Sequence, residues 1–380
     1  MTEWSEQQLS RYQECVDFAQ SELGDGARER DINCTFAADL WQKCADFGVL
    51  GWCMPVEYGG RGLDLETSVL MLEGLGYGCR DNGLTLGLNG QLWSVQEPLL
   101  MFGTEHQKQK YLAALCTGNM RAAHGMTELD SGSDAFSLTT RAEKTADGYV
   151  LNGEKHYIGM APHADIALVF ASTNPDAGNW GISAFIVEAD SEGYAASAPV
   201  EKMGVRSNPM GTIKLTDCVV PEENRLGPEG IGVSMFNQSM DWERGFIFAS
   251  HVGSMARQLD QCIDYARQRK QFGESIGKFQ AISHRIVGMK ERLEHSRMLL
   301  YRVANLKQRG ESATMEAAMA KLRISESFVE NSLDAIRIHG ALGYMTANEI
   351  ERDLRDATGG VIYSGTSDIQ KNIIAGILGL

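Results

Sequence analysis

Met126–Thr127–Glu128–Leu129–Asp130–Ser131–Gly132–Ser133–Asp134 stands where the chain changes character. Before it, residues 1–120 read as helical, with capping-box pairs at Ser5/Gln8 and Thr104/Gln107. The Gly-rich run from Glu57 to Gly62 interrupts that zone as a loop. After it, over about 121–230, Ile166, Leu168 and Phe170 alternate, as do Ala184 and Ile186. Asn152–Gly153, lying between extended runs, predicts a hairpin turn. From about 231 a helical spacing returns: Phe248, Val252, Met255 and Leu259, then Ile282, Ile286, Met289 and Leu293, then Met315, Met319 and Leu322. Several long amphipathic helices in succession imply a bundle. The order is helices (1–120), a β domain (121–230), then helices (231–380).

The Met126–Asp134 loop concentrates small, hydroxyl and glycine residues. Such a segment presents backbone N–H groups and hydroxyls to a polar cofactor edge. An ordinary Ser/Gly turn has the same composition, so the loop alone decides nothing about function.

Bulk properties exclude some classes of partner. Fifty acidic against 35 basic residues give a formal net charge of −15. A nucleic-acid or anionic-membrane surface needs a basic footprint, so neither is expected as a partner. No apolar run approaches the roughly 20 residues that span a bilayer. The start, MTEWSEQQLSRYQE, is polar and acidic, unlike a signal peptide. Eight cysteines without a CxxC pair or a Cys/His cluster predict no metal and a reducing, cytoplasmic setting.

Three further segments carry possible chemistry. Glu243 lies in Met240–Asp241–Trp242–Glu243–Arg244–Gly245–Phe246, read as the start of an apolar helix. A carboxylate beside Trp242, Phe246 and Phe248 is partly desolvated, which suits a general base. The plainer reading is a surface Glu stabilising the first turn through the helix dipole. In Tyr265–Gly273, Arg269 can pair with a phosphate and Phe272 can stack on a ring. A helix end with dipole-complementing cations, stopped by Gly273, explains that segment equally. Finally, Ile362 to Gln370 is a small-residue loop opening a helix, where a cofactor can bind.

Together and in this order these pieces resemble the acyl-CoA dehydrogenase family along essentially the whole chain. The match runs through Pro55–Gly60, GTEHQKQKYL (Gly103–Leu112), the Thr127–Asp134 loop and Asn152–Gly153–Glu154–Lys155. It continues through Lys202–Met203–Gly204–Val205–Arg206, YARQRKQFG with Phe279–Gln280, Arg355–Asp356 and Tyr363–Gln370. The resemblance implies an α+β, mostly α fold: an N-terminal helical domain, a middle β domain and a C-terminal four-helix bundle. It implies FAD, an acyl thioester substrate and a homo-oligomer, usually a tetramer. Electrons leave to an acceptor flavoprotein or to dioxygen.

By motif, Met126, Thr127, Gly132 and Ser133 look like flavin-side contacts, with Tyr157 and Ile158 near the isoalloxazine. Arg269, Phe272 and Gln280 look like contacts to a neighbouring subunit's FAD. Thr366 and Asp368 fall near the adenosine end, and Arg337 stands where a pyrophosphate contact is common. In most of the family the base precedes the Gly-Thr pair; here that residue is Ser364, whose backbone N–H can still donate to the thioester carbonyl. A minority places the base directly before an Arg on the helix opening the bundle. Glu243–Arg244 matches that arrangement, so the resemblance makes Glu243 the base. Gly159, Arg337 and the run Ile362–Asp368 are similar to one branch, the prolyl-carrier-protein dehydrogenases. That points to an acyl group on a peptidyl carrier protein, with a short- or branched-chain acyl-CoA as the alternative and a flavin oxidase or monooxygenase as another.

Overall fold

The computed structural model describes residues 4–380. Its first zone is helical, built on α1 (Glu6–Glu22), α2 (Ala38–Phe47), α3 (Leu65–Gly78) and α4 (Asn82–Gln91). Both expected capping boxes form: Ser5 accepts from the Gln8 N–H and Thr104 from the Gln107 N–H, each Gln side chain closing the box.

The second zone is a single sheet. Its strands are β1 (Ala122–Gly125), β2 (Arg141–Lys144), β3 (Gly148–Gly159), β4 (Ile166–Ser172), β5 (Ile182–Glu188), β6 (Tyr194–Ala196), β7 (Met210–Pro221) and β8 (Arg225–Leu226). They lie in the order β6-β7-β3-β2-β4-β5-β8, with β1 added parallel to β4. Every residue of β4 is buried. Ile166, Leu168 and Phe170 face a core shared with the helices, while Ala167, Val169 and Ala171 face a separate core on the other side.

Asn152–Gly153 is not a hairpin turn. It lies inside β3, at a break in the register with β7. The Asn152 side chain exchanges hydrogen bonds with Asp217 (3.1 and 2.8 Å), and a Cβ at Gly153 would overlap Thr140. Glycine is needed there for close approach of two chains. The turn joining β2 and β3 is earlier, closed by Thr145 N–H to the Gly148 carbonyl at 2.9 Å.

The third zone is a four-helix bundle of α5 (Gly232–Phe246), α6 (Ala249–Gln268), α7 (Gln280–Gln308) and α8 (Thr314–His339), followed by α9 (Ile350–Gly360) and α10 (Ser367–Ile377). The bundle and the first zone share one hydrophobic core. They meet most closely where α3 crosses α6. A Cβ on Gly76 would overlap the Ser250 carbonyl, and one on Gly253 the Glu73 carbonyl. Backbone cannot move aside as a side chain can. Gly253→Ala is therefore expected to cost about 1–3 kcal/mol, read as a lower Tm of the purified protein; an unchanged Tm would contradict this close crossing.

Two of the short motifs prove to be parts of one joint. A Cβ at Gly204 would overlap the Arg355 carbonyl, and Val205 N–H donates to Asp356 at 2.5 Å. Asp356 also accepts from Asn82 at 2.9 Å, so all three zones converge on this buried carboxylate. Among the described residues no helix is long and apolar enough to cross a membrane, and no His/Cys/Asp/Glu group is placed to hold a metal.

Candidate active site

Glu243 stands in the last turn of α5, not at a helix start. The chain leaves helical geometry at Phe248 (φ −99°, ψ 10°) before α6 begins. This removes the plainer reading. A carboxylate at a helix C-terminus meets the negative end of the dipole, so the position is mildly unfavourable for a Glu with no other task.

The Ser364 hydroxyl donates to Glu243 Oε1 at 2.5 Å across the gap between α5 and the loop before α10. Ser364 holds φ 58°, and Gly365 φ 81°. Left-handed backbone is costly for a serine and persists where surrounding structure enforces it. Gln370 does so, its amide donating to the carbonyls of Ser364 (3.2 Å) and Gly365 (2.9 Å). The Ser364 hydroxyl thus fixes the orientation of the Glu243 carboxylate. Ser364→Ala should slow flavin reduction about tenfold, the effect of one lost hydrogen bond, with flavin content preserved. A rate equal to wild type in stopped-flow reduction would refute this role.

Four groups around Glu243 have a buried polar atom with no protein partner: Arg244 Nε, Lys321 Nζ, Tyr363 Oη and His124 Nε2. Each feels the charge of Glu243. Burial pushes the Lys321 ammonium down to about 8, against the opposing pull of Glu326 and Glu243. Burial also lowers Arg244 and His124 and raises the Tyr363 hydroxyl. Orphaned buried polar atoms are uncommon in folded proteins. Their convergence on one carboxylate sets Glu243 apart from an ordinary surface acid. Sequence reasoning misses Lys321 and His124. The signal for Lys321 is a lysine among the apolar positions of α8; for His124, a histidine in a strand of small residues.

The Met126–Asp134 loop is held by Glu128. Its carboxylate accepts from the N–H and hydroxyl groups of Thr139 and Thr140 (2.6–3.0 Å) and from Lys155 Nζ (2.8 Å). Lys155 also donates to the Met126 carbonyl (3.1 Å). With its base so fixed, the loop leaves Gly132 and Ser133 exposed, and their N–H groups take no protein acceptor among the described residues. The Thr127 carbonyl accepts from His156 N–H (2.8 Å), tying loop to β3. Tyr157 follows at φ 59° and 60% exposure, in a second register break of β3. The side chains of Met126 and Ile158 point into cores, so only their backbone is free to meet a ligand.

Elsewhere, Lys270–Gln271 pairs with Glu274–Ser275 as a small hairpin. Phe272 and Gly273 at its tip both have positive φ (50° and 84°), and Phe272 is 95% exposed. Arg269 and Gln280 beside it are exposed too. These three lie at the far end of α6, whose 20 residues span about 30 Å at 1.5 Å per residue, while Glu243 precedes its start. One chain does not bring them to its own Glu243. Arg337 is exposed and bridges Asp334 (3.3 Å). The Thr366 hydroxyl caps α10, accepting from Ile369 N–H (3.2 Å), and exposed Asp368 pairs with Lys371 (3.2 Å).

Comparison with known proteins agrees with this architecture. Acyl-CoA dehydrogenase models match in three parts: the N-terminal domain over residues 5–119, the middle domain over 123–218 and the C-terminal domain over 230–379. The chain belongs to the acyl-CoA dehydrogenase family and is a flavin-dependent oxidoreductase. An L-prolyl-[peptidyl-carrier protein] dehydrogenase of Pseudomonas fluorescens is 43% identical over 90% of each chain. The crystal structure of the prolyl acyl carrier protein oxidase AnaB matches over the full length of both chains, at 48% identity and TM-score 0.98. PigA, solved with FAD and proline, matches over all of this chain and 99% of its own, at 38% identity and TM-score 0.97.

Proposed function

We propose that this enzyme oxidises a prolyl group, held as a thioester on a peptidyl carrier protein, towards the pyrrolyl level. The observation that carries the reading is Glu243, oriented by Ser364 and ringed by unpartnered polar groups, in a chain similar to prolyl-carrier-protein dehydrogenases. Glu243 removes the proton α to the thioester carbonyl. That proton is acidic enough only when the carbonyl is polarised, and the Ser364 N–H is the donor assigned to it. Arg244 and Lys321 place positive charge near the base.

The cofactor is FAD, which when bound takes the hydride from the adjacent carbon. The exposed N–H groups of Gly132 and Ser133, Thr127, and the backbone at Met126, Tyr157 and Ile158 suit its flavin side. Arg269, Phe272 and Gln280 are assigned to the FAD of a neighbouring subunit, because their distance from Glu243 suits no flavin bound beside that residue. Arg337, Thr366 and Asp368 are assigned to the pyrophosphate and adenosine end. The shared site makes the enzyme a homo-oligomer; the family resemblance adds a tetramer in the cytoplasm, with domain limits at residues 120 and 230. Light scattering after gel filtration tests the assembly; a monomer that keeps its FAD would refute the shared site.

The first measurement is anaerobic bleaching of the flavin band on mixing with L-prolyl-carrier protein or with short acyl-CoAs. Bleaching by the prolyl thioester alone supports the proposal. Bleaching by an acyl-CoA alone makes this an acyl-CoA dehydrogenase with a relocated base. Air or an electron-transferring flavoprotein, added to the reduced enzyme, then identifies the acceptor by which restores the colour.

A further inference from the structure

We infer that His124 recognises the ring nitrogen of the substrate, its Nε2 accepting a hydrogen bond from the N–H of a five-membered cyclic amine held beside Glu243. The inference rests on the prolyl-thioester reading above and deepens it.

His124 lies on β1, opposite Leu168 of β4. Its ring packs 5.5 Å from that of Phe170 on β4 and 6.0 Å from that of Phe236 on α5. Phe236 and Glu243 are seven residues apart on α5, two turns along one face. The imidazole is thus set between aromatic walls on the side of α5 that carries the base. Glu243 and Lys155 are the charged groups that bear on it.

A neutral imidazole has one donor and one acceptor. His124 Nε2 is buried without a protein partner. In the tautomer protonated at Nδ1, Nε2 is an acceptor. A hydrocarbon acyl chain offers it nothing, and an unsatisfied buried acceptor weakens binding of such a chain. A cyclic α-amino acyl group is different. Its nitrogen is bonded to the same carbon that gives its proton to Glu243, so an acceptor on the base-bearing side of α5 can take up that N–H.

The test uses the FAD-loaded enzyme, anaerobic flavin reduction, and two carrier-protein thioesters: L-prolyl and cyclopentanecarbonyl, the carbocycle lacking N–H. Wild type should favour the prolyl group. His124→Phe should lower the prolyl-to-carbocycle rate ratio about tenfold or more, and His124→Gln, which keeps an acceptor, should restore most of it. A ratio unchanged in His124→Phe, or not recovered in His124→Gln, overturns the assignment. Titration of wild-type flavin absorbance with L-proline and with cyclopentanecarboxylate gives the same answer without a variant that must fold: equal affinities overturn the proposal. A wild type that oxidises both thioesters equally removes His124 from recognition while thioester oxidation stands. A wild type reduced only by acyl-CoAs overturns the prolyl reading and this inference together.

Discussion

Glu243→Gln is expected to keep its bound FAD and to lose at least about a thousandfold in the rate of flavin reduction by substrate. The amide is isosteric, and its carbonyl oxygen can still accept from the Ser364 hydroxyl, so the loop before α10 should stay in place. What disappears is the only function an amide cannot perform, taking a proton. The carboxylate has no structural role that would confuse the result: it is half-buried, it lies at an unfavourable helix end, and Ser364 is its one hydrogen-bond partner among the described residues. Rapid-mixing spectroscopy separates reduction from binding, since ligand-induced shifts of the flavin spectrum should survive in the variant. Turnover close to wild type would remove Glu243 from the mechanism.

Much of this site is legible in the amino-acid sequence. The three zones follow from a change of period, and the capping pairs Ser5/Gln8 and Thr104/Gln107 are local chemistry that tertiary packing leaves alone. Motif order points to Glu243 and Ser364 individually. It does not reveal their contact, because 121 residues separate them and only folding brings them to 2.5 Å. Asn152–Gly153 misleads because a dipeptide suited to a turn also suits a strand where two chains approach closely. The place of Glu243 along its helix is misread for a related reason. The apolar period runs on through Phe246 and Phe248, while the helix itself breaks there. Lys321 and His124 stay hidden because their importance is the absence of a partner, and sequence does not show absences.

The second large effect is structural and concerns Lys155. This lysine is fully buried, and burial pushes its ammonium down to about 8 although Glu128 supports the charge. For Glu128, burial alone would raise the carboxyl; Lys155 and the bonds from Thr139 and Thr140 overcome that and bring it down to about 2. The two shifts act oppositely on stability. Glu128 is more acidic folded than unfolded, so its contribution is complete above its ordinary value of 4.5 and is lost as pH falls towards about 2. Lys155 is less basic folded than unfolded, so it costs stability below about 8, a cost relieved as pH rises towards 10.5. The intact pair therefore adds little net, as buried pairs commonly do. Breaking it is another matter. Lys155→Met leaves the Glu128 carboxylate buried without a countercharge and frees the Met126 carbonyl, with an expected cost of about 3–5 kcal/mol. Because both partners hold the Met126–Asp134 loop, flavin should dissociate as stability falls, read as a lower ratio of visible to ultraviolet absorbance. Lys155→Met with Glu128→Gln removes the stranded charge and should recover part of the Tm in a double-mutant cycle. If the single variant melts with wild type, or the double is worse than the single by the full cost of the second change, the pair does not anchor this loop.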